Sequence, residues 1–395
     1  MTSKIIPYGR HHIDEDDIQA VVDILRGTQL TQGPKVEEFE RAIAGYVGAK
    51  YAVAVSSGTT ALHLACMAAE VGAGDKVVTS PNTFVASANC ALYVGASPEF
   101  ADIDAHTLNM SPASLAQRCA SIDKVKAIIP VHFAGLPCNM VAIKNIADDY
   151  GALVIEDASH ALGATYPHGG RVGNCAHSDM TVFSFHPVKI IAAGEGGMIT
   201  TNSEILYRRL LRLRSHGINK LDDLFVDQEK AYTNGEKNPW YYEMQELGFN
   251  SRITDIQCAL GLSQFNKLDR FLLRRREIAG EYDHALKGCP FLTQPQISGR
   301  KNSANHLYVI RIDFDSLGMS RGDVMTKLLA NDIGTQVHYI PVPYQPYYQN
   351  LGFQVGDFPV AEKYYREALS IPLYFGLTPE QQQKVIDSLK SILKQ

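Results

Sequence analysis

Tyr51-Ala52-Val53-Ala54-Val55-Ser56-Ser57-Gly58-Thr59-Thr60-Ala61-Leu62 is the stretch on which the fold is read. A short β-rich apolar run ends in a Ser-Ser-Gly turn, after which Leu62, Ala65 and Ala69 fall at helical spacing. Comparable β-rich runs recur at Lys76 to Thr79, Glu99 to Asp102, Ala127 to Val131, Leu153 to Glu156, Met180 to Phe183 and Gly197 to Thr201, with helical patterns between them. The alternation predicts an α/β protein whose large domain is a mostly parallel, seven-stranded sheet with helices on both faces. Ligands of such sheets collect at the carboxyl ends of the strands. Ser56 to Thr60, Asp157 and Ser184 all fall at strand ends and are expected along one edge.

Working outward, Asp14 to Leu25 and Lys35 to Tyr46 have helical apolar spacing and flank the loop Gly27 to Pro34. Residues 219–247 are polar and turn-rich, hold the single tryptophan Trp240, and read as a long loop or hairpin excursion. Asp255 to Ala285 reads as one long helix, and from about residue 290 strand and helix alternate again as a smaller C-terminal α/β domain. A chain of 395 residues is long enough for two or three domains. A net charge of −5 with both signs interspersed argues against a nucleic-acid partner. The run Arg274-Arg275-Arg276 reads as a solvated helix face. Seven cysteines stand singly with no Cys-x-x-Cys pair, which predicts a reduced chain without disulfides or a zinc site. Neither a signal peptide at Met1 to Pro7 nor a membrane-spanning run is evident, so a cytoplasmic location is expected.

Lys189 ends the segment Phe183-Ser184-Phe185-His186-Pro187-Val188-Lys189, shortly before Gly194-Glu195-Gly196-Gly197. Asp157 follows the apolar run Ala152 to Glu156. A lysine that can form an imine and a carboxylate that can hold a pyridinium are the two groups that pyridoxal phosphate demands of a protein. Each has a plainer reading, as a surface cation and as a helix cap. The turn at Gly58 and Thr59 offers free N–H groups and a helix dipole to a phosphate, or is merely capped by its serines. Phe84 could stack on a flat ring or belong to the core, and His160 could face a phenolic oxygen or be an ordinary interior histidine. The glycines after Lys189 would let the backbone pass close to a bulky ligand. Phosphate turn, stacking aromatic, pyridinium acid and lysine in this order make a cofactor site.

Gln29-Leu30-Thr31-Gln32-Gly33, Ser57-Gly58-Thr59-Thr60-Ala61-Leu62, Glu156-Asp157-Ala158-Ser159-His160, the lysine segment, His216-Gly217 and Gly248-Phe249-Asn250-Ser251-Arg252 occur together nearly end to end. On this set the chain resembles the DegT/DnrJ/EryC1/StrS sugar-nucleotide aminotransferases, of the fold-type I pyridoxal-phosphate enzymes. The resemblance implies a large cofactor-binding domain over 1–255 and, over 256–395, a long connecting helix with a small C-terminal domain. It makes Lys189 the imine lysine, Asp157 the pyridinium partner and His160 the phenolate-side contact. Phe84 would stack on the ring, while Gly58, Thr59, Ser184 and Asn250 of a second copy would hold the phosphate. Tyr8, the loop Thr28, Gln29, Leu30 and Thr31, and His338 with Tyr339 would meet the substrate.

A nucleotide sugar, L-glutamate and a homodimer with shared active sites are the implied partners, and pyridoxamine phosphate the second state of the cofactor. Ser80 to Asn89, Phe183 to Lys189 and Ser251 to Gln264 are most similar to the branch that aminates C4 of a UDP-4-keto-6-deoxy-2-acetamido-hexose in pseudaminic-acid synthesis. Where relatives commonly carry two threonines after the lysine segment, this chain has Ala192-Ala193, which alters the local hydrogen bonding. Dehydratases of the family typically replace the lysine by histidine, so Lys189 argues against that chemistry. A non-catalytic sugar-nucleotide sensor would have no need of both Lys189 and Asp157. A nicotinamide dehydrogenase lacks its Gly-x-Gly-x-x-Gly after the first core strand.

Overall fold

The computed structural model describes residues 5–220 and 224–394. α1 (Glu15–Arg26) and α2 (Pro34–Val47) lead into β1 (Tyr51–Val55), α3 (Gly58–Ala68), β2 (Lys76–Thr79), α4 (Ala86–Tyr93), β3 (Ser97–Phe100), α5 (Pro112–Ala120), β4 (Val125–Ile129), α6 (Met140–Asp149), β5 (Leu153–Asp157), β6 (Met180–Ser184), β7 (Gly197–Thr201) and α7 (Glu204–Arg214). The seven strands form one sheet in the order β1-β7-β6-β5-β4-β2-β3, and only β7 runs against its neighbours.

Alternation along each strand divides the apolar side chains between two cores. Ala52, Ala54, Ile128 and Val154 face one, with Phe39, Leu115 and Ile143 from α2, α5 and α6. Val53, Val55, Ile129 and Ile155 face the other, with Leu62, Cys90 and Leu210 from α3, α4 and α7. Helices therefore cover both faces, as the near-continuous apolar strands require. Two strands start earlier than their sequence suggests: β3 takes in Pro98 because it is an edge strand, and β4 stops before Pro130, which cannot donate to a ladder.

Beyond α7, β8 (Ile218–Asn219) pairs with the later β11, and α8 (Gln228–Ala231) precedes a hairpin of β9 (Tyr232–Thr233) and β10 (Glu236–Lys237). The hairpin turns on Asn234 and Gly235, both at positive φ, the conformation a two-residue hairpin loop demands. β11 (Glu243–Met244) closes the excursion, of which 221–223 lie outside the described residues. The single helix expected over Asp255 to Ala285 is two, α9 (Asp255–Phe265) and α10 (Leu268–Ala285). The break puts Lys267 against Asp14 and, at 2.9 Å, Asp17 of α1, a tertiary ion pair that periodicity does not reveal.

β12 (Leu292–Thr293), β13 (Tyr308–Ile312) and β14 (Ala368–Ile371) form an antiparallel sheet. With the helices Arg321–Ala330 and Pro379–Leu393 it encloses a third core, including Ile310, Leu328 and Leu389. Ile6 joins this core and bridges to Ile333, so the start of the chain packs with its end.

The solvated reading of Arg274-Arg275-Arg276 is corrected at its centre. Arg275 is 3% exposed, and its Nη1 donates to the carbonyls of Asn305, His306 and Leu373 at 3.4, 3.2 and 3.2 Å. A core-facing position on α10 takes it inward between exposed neighbours at Leu273 and Arg276. All seven cysteines are free, and among the described residues no helix is long and apolar enough to cross a membrane.

Candidate active site

A cavity of about 440 Å³ opens at the carboxyl edge of the large sheet, and Gly58, Thr59, Asp157, Ser184 and Lys189 all line it. A larger groove of about 650 Å³ runs between α2 and α7 past Gln32, Gly33 and Arg252, but holds neither the lysine nor the acid. The lysine and the acid therefore share the smaller one.

Ser57 caps α3, its Oγ accepting from the N–H of Thr60 at 3.1 Å. The N–H groups of Gly58 and Thr59 precede any helical carbonyl that could accept them, so they remain as donors at the positive end of the helix. A Cβ on Gly58 would lie 2.9 Å from Cβ of Ser184, so only glycine lets this turn close on β6. Of the glycines after Lys189, Gly196 and Gly197 serve the same packing, whereas Gly194, at φ +80°, has open space where a Cβ would stand. A Cβ on Gly197 would lie 2.3 Å from the Ser57 carbonyl, and one on Gly196 3.1 and 3.2 Å from Ile253 and Phe185. Ala192 and Ala193 are buried, and their N–H groups donate to Gln264 Oε1 at 3.4 Å and to the Phe185 carbonyl at 2.9 Å. The backbone is thus satisfied there without threonine hydroxyls.

Asp157 ends β5, with its backbone tied to both sides by Asp157 N–H to Pro130 O at 2.9 Å and His132 N–H to Asp157 O at 3.0 Å. Ser87 of α4 donates to its Oδ2 at 2.6 Å and Ser159 N–H to its Oδ1 at 3.1 Å. The pleat sends the preceding Glu156 to the opposite face, where the Tyr166, Ser178 and Thr181 hydroxyls donate to it at 2.6, 2.5 and 3.0 Å. His132 completes that shell with Nε2 2.7 Å from Glu156; its Nδ1 accepts the Cys138 N–H, so the ring proton sits on Nε2. One strand end thus carries two buried carboxylates, Asp157 toward the cavity and the fully paired Glu156 behind it.

Lys189 follows β6 on a turn closed by its own N–H to the His186 carbonyl at 2.8 Å. Burial lowers its pKa to about 8, against the attraction of the Asp157 carboxylate. His160 Nε2 lies 3.2 Å from the Tyr339 hydroxyl. Burial, then the charges of Lys189 and His338, hold its pKa well below the usual range. His338 is fixed by Ser370 Oγ at 2.8 Å from Nδ1 and by the Tyr364 hydroxyl, which donates to its carbonyl at 2.7 Å. Burial and then Lys189 hold its pKa at about 3. Tyr8 packs 5.3 Å from His338, and Phe84, 59% exposed, stands at the mouth 6.4 Å from Tyr339.

Two expected contacts are not brought here by a single chain. Thr28, Gln29, Leu30 and Thr31 are exposed and lie outside the cavity, where the Leu30 carbonyl accepts from Asp255 N–H at 3.0 Å and Thr31 bridges to Thr254. Asn250 is exposed, bridges to Ser215, and also lies outside. Conversely, Ser87 and His306 belong to the site without having been expected. Ser87 is a polar residue on a buried helix face, a signal that was there to read; His306, alone before β13, gives none.

The model of the DegT/DnrJ/EryC1/StrS aminotransferase family matches residues 11–390. The chain belongs to that family. It is 42% identical over 393 residues to the spore coat polysaccharide biosynthesis protein SpsC of Bacillus subtilis, covering 98% of this chain and 97% of that one. Among solved structures it is similar to PseC of Helicobacter pylori, an aminotransferase involved in the biosynthesis of pseudoaminic acid, at 30% identity, a TM-score of 0.88 and 99% coverage of both chains. It also resembles the putative sugar aminotransferase Spr1654 of Streptococcus pneumoniae, solved in its PMP form, at 30% identity, a TM-score of 0.87 and 98% and 99% coverage. Spr1654 is known in a PLP form as well.

Pyridoxal phosphate is the cofactor of this DegT/DnrJ/EryC1/StrS aminotransferase, and the residues present fit it. Free N–H donors at α3, a carboxylate braced by two donors, a lysine with a lowered pKa and a buried Nδ1 on His160 with no partner all line one cavity.

Proposed function

We propose that the protein transfers the amino group of L-glutamate to the C4 ketone of a UDP-4-keto-6-deoxy-2-acetamido-hexose. The product would be UDP-4-amino-4,6-dideoxy-N-acetyl-β-L-altrosamine, a precursor of pseudaminic acid for flagellin glycosylation or a cell-surface polysaccharide. The observation that carries the aminotransferase part is Lys189, its pKa lowered to about 8, sharing with Asp157 a cavity floored by the α3 N-terminus. The choice of sugar is supported by the likeness to PseC over 99% of both chains.

When bound, pyridoxal phosphate supplies an electron sink and carries the amino group between donor and acceptor. Gly58 and Thr59 N–H groups and the Ser184 hydroxyl hold its phosphate, together with Asn250 of a second copy. Asp157, kept in place by Ser87 and Ser159, holds a proton on the ring nitrogen. His160 faces the phenolic oxygen and Phe84 covers the ring. Lys189 Nζ takes a proton from the α-carbon of glutamate and delivers one to C4 of the sugar. Tyr8, His338 and Tyr339 wall the substrate side; the Thr28–Thr31 loop, outside its own cavity, reaches a sugar nucleotide only across a dimer. We assign residues 1–255 to the cofactor-binding unit and 256–395 to the connecting helices and small domain. Seven free cysteines suit a reducing cytoplasm.

The greater identity to SpsC, a spore coat polysaccharide protein, favours a second reading. In it the same residues aminate another nucleotide-linked ketosugar, of bacillosamine, perosamine or 4-amino-arabinose type. One titration separates the two. The purified protein is expected to absorb near ~420 nm, to shift toward ~330 nm with L-glutamate, and to regain the first band only with the matching ketosugar. Recovery with the UDP-4-keto-6-deoxy-2-acetamido sugar supports the first reading, and recovery only with another sugar supports the second. No response to glutamate removes both.

A further inference from the structure

His306 lines the cavity, and the reaction as described makes no use of it. It is 4% exposed, and its ring centroid lies 4.4 Å from that of His160 with the planes 37° apart. In both rings Nδ1 is sealed from solvent and meets no hydrogen-bond partner. A neutral imidazole carries one N–H, and burying that N–H without an acceptor costs its full desolvation. For His160 the other nitrogen, Nε2, has an oxygen at hand in the Tyr339 hydroxyl at 3.2 Å. For His306, only Nδ1 is among the sealed side-chain atoms without a partner.

We propose that His306 is a positioning residue for His160: the closely packed, tilted pair keeps both imidazoles neutral with the proton on Nε2, so that His160 meets the ligand's phenolic oxygen as a fixed N–H donor. A histidine tautomer is commonly set by a carboxylate or carbonyl that accepts from Nδ1. Here it is set by the opposite device. The His306 ring lies tilted against His160, and neither Nδ1 meets an acceptor.

The surrounding charges support neutrality. Lys189 faces the pair from the cavity, and Arg275 grips the His306 carbonyl at 3.2 Å, with its hydrogen bonds going to carbonyls and its buried Nε without a partner. Asp157 shares the cavity, but both its oxygens accept hydrogen bonds from Ser87 and Ser159. Glu195, His186, His338, Tyr8 and Tyr339 complete the titratable lining. Burial first, then the neighbouring histidines, Lys189 and Arg275, depress the His306 pKa well below its ordinary value.

The proposal rests on the cofactor-binding reading of the cavity and is independent of the sugar. Its test is nitrogen NMR of the cofactor-loaded protein labelled in the histidine rings, followed from pH 5.5 to 8, with signals assigned through His160→Gln and His306→Gln. Both rings are expected as the Nε2–H tautomer throughout. An imidazolium, or a proton on Nδ1, in either ring overturns the proposal, and this reading needs no variant to fold beyond those used for assignment. His306→Asp puts an acceptor in place of the ring packed against His160 and is expected to draw the proton to Nδ1, weakening cofactor binding about tenfold or more. His306→Phe keeps a ring without an acceptor and is expected to preserve the tautomer, with cofactor affinity changed less than about threefold. If His306→Phe moves the proton as His306→Asp does, the packed ring is not the device. Absence of turnover with every ketosugar would defeat the substrate assignment while leaving these spectra as they are.

Discussion

Lys189 shows at the residue scale how one side chain carries both a cost and a function. Its pKa falls from 10.5 to about 8 because burial disfavours the ammonium more than Asp157 favours it. A folded pKa below the unfolded value means that the folded protein binds fewer protons between those limits. Stability therefore rises with pH from about 8 to 10.5, and the full penalty is present below pH 8. In cofactor-free protein at pH 7, Lys189→Met is expected to gain on the order of 1–3 kcal/mol, seen as a higher urea midpoint, with the gain shrinking as pH approaches that of free lysine. A lower midpoint at pH 7 would show that the ammonium is already compensated in the fold. Lys189 and Asp157 were legible in the sequence because each follows an apolar strand, where neither has a purpose in the core. His306 was not, since its role comes from a ring lying 4.4 Å away across the chain fold.

At the scale of elements, the proposed phosphate end of the site depends on how closely α3, β6 and β7 meet. A Cβ on Gly58 or Gly197 would collide with a neighbour, and one on Gly196 would be crowded by Ile253 and Phe185. Gly58→Ala must push Ser184 aside and is expected to destabilise the protein by about 1–3 kcal/mol, as overpacking does. Because the same turn presents the N–H donors, cofactor affinity should drop with it, which equilibrium dialysis of the cofactor would measure. Unchanged affinity would place the phosphate elsewhere. Strand ends and the glycine turn were readable from apolar runs and turn residues. The break between α9 and α10 was not, because no proline or glycine marks it and Lys267 is drawn to acids about 250 residues earlier in the chain.

At the scale of the molecule, one chain leaves its proposed site incomplete. Asn250 and the Thr28–Thr31 loop lie outside the cavity, while Trp240, Met244, Leu247 and Phe249, just before Asn250 in sequence, stand 72%, 63%, 71% and 55% exposed. Sites shared in a two-fold dimer make a sharp prediction. Lys189→Ala and Asn250→Asp proteins, each nearly inactive, should recover about a quarter of wild-type activity when unfolded together and refolded in equal amounts. Half the dimers are then mixed, and each mixed dimer has one site with both residues intact. If Asn250 serves its own chain, mixing restores nothing.

The sequence by itself determined the α/β class, the seven strands and the two groups proposed to face the cofactor. Those follow from local facts: alternation, turn residues, and polar side chains at the ends of apolar runs. Tertiary structure alone decided which face of each strand end a carboxylate takes, why Arg275 goes inward, and what stands behind His160. These depend on contacts between segments far apart in the chain, and a linear pattern carries no record of which distant side chain fills a given space.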